Sequence, residues 1–73
     1  MSSLPCISGH EAIAALERAG FSVIRQKGSH IILKRTVPFA QLVVPDHKEL
    51  DRGTLRAIIR QADLSVDEFL KLL

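Results

Sequence analysis

Two histidines in this sequence stand where a side chain can move a proton. His30 follows Gly28 and Ser29 in the stretch QKGSH, between two runs that resemble strands, and His47 lies in the stretch VVPDHKEL. A free imidazole titrates near pH ~6.5, so each ring can accept or donate a proton near neutrality. An isolated histidine in a hairpin is usually a turn residue whose ring bonds to the backbone, so the surroundings of His30 decide between the two interpretations.

The segment around His30 carries a concentrated positive charge. Residues 25–35 include four basic side chains and no acidic one, although the net charge of the whole chain is only +2. Such a cluster attracts phosphates, but it is also an ordinary solvated surface. Lys27 and Arg25 further disfavour a positive charge on the nearby imidazole, so His30 is expected to be a neutral base. The four residues are Arg25, Lys27, Lys34 and Arg35.

This combination predicts chemistry on RNA. A neutral imidazole takes the proton from a ribose 2′-OH, which then attacks the adjacent phosphorus without help from a metal. The transition state gathers negative charge, which Lys27, Arg25 or Lys48 would stabilise, and the departing 5′-oxygen needs a proton donor. His47 or a lysine is the candidate donor.

The first half of the chain predicts the elements that position His30. Ser8 and Glu11 form a capping-box pattern at the start of a helix that ends at Gly20. From Phe21 the period becomes two, with Phe21, Val23 and Arg25 expected on one side and Ser22, Ile24 and Gln26 on the other. Gly28 and Ser29 form a short turn, in which Gly28 takes positive φ. Residues 30–35 and 39–44 are the second and third strands, and Pro38 separates them.

The second half predicts two more helices. Asp51 or Thr54 caps a helix with the apolar stripe Leu55, Ile58, Ile59 and Ala62. The row Arg52, Arg56 and Arg60 on its other face is either a phosphate track or a solvated surface. Ser65 and Glu68 form a second capping box, before a short helix whose inward residues are expected to be Val66, Phe69, Leu70 and Leu73. The predicted fold is α+β, an αβββα order with a short C-terminal helix. A three-stranded antiparallel sheet carries helices on one face, in one domain over residues 1–73.

Other classes of function find less support. Metal-ligand spacings and phosphate loops are absent, so no metal or cofactor is expected, and Cys6 alone forms no internal disulfide. No apolar run is long enough for a membrane span and no signal peptide is recognisable, so we expect a cytoplasmic protein that contacts no membrane. A DNA-binding helix-turn-helix would press Asp67 and Glu68 against phosphate, so no direct DNA binding is expected. A non-catalytic RNA-binding module would need aromatic platforms, whereas Phe21, Phe39 and Phe69 are all expected in the core. A domain that binds only protein stays open.

The stretches AGFSVIRQKGSHIILKR and VVPDHKELDRGTLRAIIRQADLSVDEFLKLL resemble the HicA family of bacterial and archaeal toxins. The resemblance implies a fold like that of double-stranded-RNA-binding domains. It also implies an mRNA interferase that arrests translation until a HicB antitoxin masks its active site.

By the same resemblance, His30 matches the family's catalytic histidine, and Ile31 follows it where many members carry a second histidine or another polar residue. His47 matches a loop histidine whose role is either catalytic or structural. Gly28 sets the turn, and Ser29 bonds to phosphate or to the turn itself.

Overall fold

The computed structural model describes residues 3–73 and contains six elements in the predicted order. Helix α1 spans Gly9–Arg18, and the strands β1, β2 and β3 span Ser22–Lys27, His30–Thr36 and Phe39–Pro45. Helices α2 and α3 span Arg52–Gln61 and Val66–Leu72. The strands form an antiparallel sheet in the order β1-β2-β3. The predicted α+β fold, αβββα with a short third helix, is confirmed and is of the double-stranded-RNA-binding-domain-like type.

Short-range hydrogen bonds fix where each helix begins. The Ser8 hydroxyl accepts from the Glu11 amide at 3.0 Å, and the Glu11 carboxylate accepts from the Ser8 amide at 2.9 Å. Ser65 and Glu68 form the same reciprocal pair at the start of α3. At α2 the cap is Asp51, whose carboxylate accepts from the Thr54 amide at 2.7 Å. These bonds satisfy amides that a helix leaves without partners in its first turn, so local sequence was enough to predict them.

Helices α1 and α2 cover one face of the sheet, α3 packs against both of them, and within residues 3–73 no helix covers the other face. Helix α2 packs mainly against β3, and α1 packs against β3 and α3. All four residues of the predicted α2 stripe are buried. The side chains that the sheet contributes to the core alternate along β2 and β3, as expected for a strand with one covered face: they are Ile31, Leu33, Ala40, Leu42 and Val44.

A β-bulge in β1 changes which side chains share a face. Val23 lies opposite Leu33, but Arg25 lies opposite Ile32, so Ile24 is an extra residue between them. Directly opposed residues of an antiparallel pair point to the same face, so Val23 points to the covered face and Arg25 to the open face. The prediction that Phe21, Val23 and Arg25 lie on one side was therefore wrong, because simple alternation has no provision for an inserted residue.

Two further predictions about the core are corrected. Phe21 and Phe69 are buried, but Phe39 is 67% exposed because its position in β3 belongs to the open face. Leu73 is exposed, whereas Leu72 packs against the core in its place. Helix α3 ends at Leu72, whose carbonyl oxygen accepts a hydrogen bond from Arg18 Nη1 at 2.6 Å. Leu73 therefore follows the last helical residue, and the inward-facing side chains of α3 end with Leu72.

Candidate active site

His30 is the first residue of β2, and its side chain is exposed to solvent. It lies between Lys27 of β1 and Pro45 of β3 in the sheet register, on the open face. The two-residue turn before it depends on Gly28, which has a φ of +60°. Among residues 3–73, apart from Gly28 and its two chain neighbours, no atom lies within 4 Å of the position that a Cβ of Gly28 would take, so the requirement for glycine comes from the backbone conformation and not from crowding.

Three of the four predicted cations share the open face with His30. Lys27 lies directly opposite His30, and Arg25 lies opposite Ile32. Lys34 is four residues after His30 in β2 and so points to the same face. The sequences of the three strands contain no acidic residue, so no strand side chain opposes this positive charge. The hairpin itself is braced by Gln26, whose side-chain amide donates to the Gly28 carbonyl oxygen at 3.0 Å.

Arg35, the fourth cation of the segment, belongs to the structure of the covered side. Its guanidinium donates to the carbonyl oxygens of Pro38 at 3.0 Å and Ala62 at 3.1 Å, and it stacks over the Phe21 ring at 4.7 Å from the centroid. It therefore ties the β2–β3 turn to the end of α2. Sequence alone cannot tell which of Arg35 and Lys34 points to the core. Alternation predicts that the two neighbours point to opposite faces of the sheet, but not which face the helices cover.

The loop after β3 lies at the same end of the sheet as the His30 hairpin. The Asp46 amide donates to the Ser29 carbonyl oxygen at 2.6 Å, which continues the ladder beyond Pro45. The Gly9 amide at the start of α1 donates to the His47 carbonyl oxygen at 2.9 Å. The loop is thus held by its backbone. Within residues 3–73 no hydrogen bond involves the His47 ring, which is exposed.

A second imidazole reaches this loop from α1. His10 Nε2 lies 3.0 Å from Asp46 Oδ1, and the Asp46 carboxylate is partly exposed. Neither His10 nor Asp46 was a predicted site residue. No local pattern signals the pair, because it forms only when the start of α1 packs against the end of β3.

The rest of the loop leads to α2. Lys48 is exposed, and no hydrogen bond or ion pair of its side chain occurs in the part of the chain that the structure describes. The Asp51 carboxyl group has its pKa lowered, first by the hydrogen bond from the Thr54 amide, and then by the Thr54 hydroxyl. Nearby His47 contributes a smaller lowering of the Asp51 pKa. The loop therefore ends in an anchored carboxylate that points into the first turn of α2.

The arginine row of α2 lies apart from His30. Arg52, Arg56 and Arg60 are all exposed on a helix that packs on the covered side of the sheet. Arg56 and Arg60 line a shallow groove together with the carboxylates of Asp63 and Glu68. These carboxylates offset the positive charge of the row, which favours the solvated-surface interpretation over a phosphate track.

Residues 3–73 lack the features of two other kinds of site. Across that range no helix has the length and apolar character needed to cross a membrane. In the same part of the chain, no three His, Cys, Asp or Glu side chains are gathered as metal ligands would be.

The decisive comparison is with known families. The profile of the family described as HicA toxin of bacterial toxin-antitoxin matches residues 9–64 of the chain. The chain belongs to the HicA toxin family. The HicA match includes the His30 hairpin, the loop with His47 and helix α2, while α3 lies beyond it. Membership of the HicA family implies an antitoxin partner in general. A comparison with curated proteins returns no match.

Proposed function

We propose that this HicA-family toxin is an endoribonuclease that cleaves mRNA and so inhibits translation, without a metal ion. One observation carries the proposal. The exposed ring of His30 stands at the rim of an open sheet face that bears Arg25, Lys27 and Lys34, and the strands forming this face have no carboxylate. A polyanion is attracted to such a face, and an imidazole on it can act as a general base in the cleavage of RNA.

In the proposed reaction His30 is the general base. Its neutral imidazole takes the proton of a ribose 2′-OH, and the 2′-oxygen forms a bond to the adjacent phosphorus as the bond to the 5′-oxygen breaks. The products are a 2′,3′-cyclic phosphate and a 5′-hydroxyl end. Lys27 lies opposite His30 in the ladder, and it stabilises the negative charge that collects on the phosphate oxygens.

The remaining candidate residues support binding and departure of the leaving group. Arg25 and Lys34 hold neighbouring phosphates, and Ser29 donates its hydroxyl to a phosphate oxygen. The proton for the departing 5′-oxygen comes from His47 or from a lysine, with Lys48 as the lysine of the same loop. The hydrogen bond from the Asp46 amide to the Ser29 carbonyl oxygen supports this assignment, since it joins that loop to the hairpin.

The proposed setting is the cytoplasm, where mRNA is translated, and the proposed partner is a HicB-type antitoxin that covers His30. Masking by a protein is feasible on this surface because the open face is a continuous side of the sheet. Masking would separate RNA from the imidazole and the cations at once.

A non-catalytic RNA-binding module is the second candidate. It is favoured by the exposed ring of Phe39, which was expected in the core but lies on the same face as His30. Aromatic rings and cations together bind single-stranded RNA without chemistry.

Cleavage of matched substrates separates the two functions. We expect the purified protein to cut an RNA oligonucleotide in the presence of a metal chelator, and to leave fragments with 2′,3′-cyclic phosphate ends. An all-2′-deoxy oligonucleotide of the same sequence should stay intact, because it lacks the nucleophile. Binding of the RNA without cleavage would favour the module, and cleavage of the deoxy oligonucleotide would rule out attack by a 2′-OH.

A further inference from the structure

Phe39 differs from the other two phenylalanines of the chain. Its side chain is 67% exposed, whereas Phe21 and Phe69 are 3% and 0% exposed. It is the first residue of β3 and lies opposite Thr36 in the ladder. The adjoining turn residue Val37 is also exposed, at 85%. Since a phenyl ring gains free energy from burial, its position on the surface raises the question of what covers it.

The ring is oriented over the open face. Lys34 Nζ lies 5.6 Å from the centroid of the Phe39 ring, within the range of a cation–π contact. Lys34 points to the open face, because it is four residues from His30 in β2 and side chains an even number of residues apart in a strand share a face. Phe39 and His30 are therefore on one surface, with Lys34 between them.

The charge along this surface selects the kind of ligand. Lys34 is four residues from His30, which at a strand rise of about 3.3 Å per residue is about 13 Å. Arg25 and Lys27 continue the positive charge on the neighbouring strand, and the three strands have no carboxylate. An extended polyanion that reaches His30 therefore has cations to follow as far as Phe39. A basic track that carries an aromatic ring is the arrangement with which proteins bind single-stranded nucleic acid.

We propose that Phe39 is a base-stacking platform for single-stranded RNA, and that Lys34 binds a phosphate of the stacked nucleotide. The site lies several nucleotides from the scissile bond. It rests on the proposed function in its choice of RNA as substrate, but not on the catalytic role of His30. Every nucleobase has a face that stacks, so the platform holds the strand without reading its sequence.

A fluorescence measurement tests the stacking directly. The chain contains no tryptophan, so Phe39→Trp introduces the only indole. The probe is a mixed-sequence 2′-O-methyl RNA, which binds as RNA does but lacks the 2′-OH needed for cleavage. We expect the RNA to quench the indole of Phe39→Trp. Val37→Trp is the matched control, because Val37 is exposed in the same hairpin but outside the strands, and its indole should change little.

Affinity provides the second measurement. Phe39→Ala should weaken binding of the same RNA by about 5- to 150-fold, the effect that loss of one stacked base produces. Phe39→Tyr should restore the affinity, and Val37→Ala should leave it unchanged. Circular dichroism confirms that each variant is folded.

The outcomes separate this proposal from the nuclease proposal. Wild-type affinity in folded Phe39→Ala, or equal quenching of the two indoles, overturns the platform, whatever the nuclease assays give. The same holds if Phe39→Ala weakens binding of the HicB-type antitoxin but not of RNA, because the ring then serves a protein interface. A wild type that binds RNA through Phe39 and does not cut it overturns only the nuclease.

Discussion

His30 owes its place to its immediate neighbours in the chain. Gly28 supplies the positive φ that brings the hairpin round, and the Gln26 side chain closes the turn through the Gly28 carbonyl oxygen. The imidazole projects from the first residue of a paired strand, and a paired strand is more rigid than a loop. These are features of five consecutive residues, so the turn and the exposed histidine were predictable from sequence.

The helix-capping carboxylates give a prediction about pH. The pKa of Asp51 is lowered in the folded chain, chiefly by the Thr54 amide, from an ordinary value of 3.8. A lowered folded-state pKa contributes stability that is present above pH 3.8 and is lost as the pH falls through the folded-state value. We expect the urea concentration at the unfolding midpoint of the wild type to decrease once the pH is lowered below about 4, in a series of measurements from pH 7 to pH 2.

Asp51→Asn isolates that contribution, because asparagine caps a helix but does not titrate. We expect a shallower decline of its urea midpoint in acid. Glu68→Gln should act likewise at α3, since the Ser65 amide lowers the pKa of Glu68 in the same way. An acid decline that is as steep in Asp51→Asn as in the wild type would contradict the assignment of the lowered pKa to this cap.

At the scale of elements, α1 and the loop after β3 are fitted to each other at Gly9. A Cβ on Gly9 would overlap the carbonyl oxygen of Pro45, while the Gly9 amide donates to the His47 carbonyl oxygen. The contact thus fixes how closely the start of α1 approaches the loop that carries His47. Gly9 has a low helix propensity, but the absence of a side chain allows the backbone of α1 to approach the backbone at Pro45 closely.

The paired substitutions Gly9→Ala and Gly53→Ala test that contact. We expect Gly9→Ala to lower the free energy of unfolding by about 1–3 kcal/mol, because backbone atoms must move apart. Gly53 also lies in the first turn of a helix, but the contact that its added Cβ would make among the described residues is with Asp51 Oδ1 at 3.5 Å, an ordinary van der Waals distance. Gly53→Ala should therefore raise stability by about 0.4–1 kcal/mol through helix propensity and lower chain entropy. Chemical denaturation measures both, and equal effects of the two substitutions would refute the close-approach argument.

At the scale of the whole molecule, the order of elements, the caps and the α2 stripe were predictable because each depends on residues within a turn or two of each other. Three features were not. The bulge at Ile24 moves Arg25 to the open face, Phe39 is on that face and not in the core, and His10 meets Asp46. Each of these depends on how strands and helices align across the fold. The candidate site therefore extends over more of the open face than the His30 hairpin on which the prediction was based.

The proposed cleavage of RNA depends on the imidazole of His30 as the general base. The most direct measurement is the rate at which wild type, His30→Ala and the surface control Glu17→Ala cleave one RNA oligonucleotide, with circular dichroism to verify folding. Loss of a general base should slow His30→Ala by about 10²- to 10⁴-fold, while Glu17→Ala on the solvent side of α1 cleaves like the wild type. Cleavage by folded His30→Ala at the wild-type rate would show that His30 is not the base.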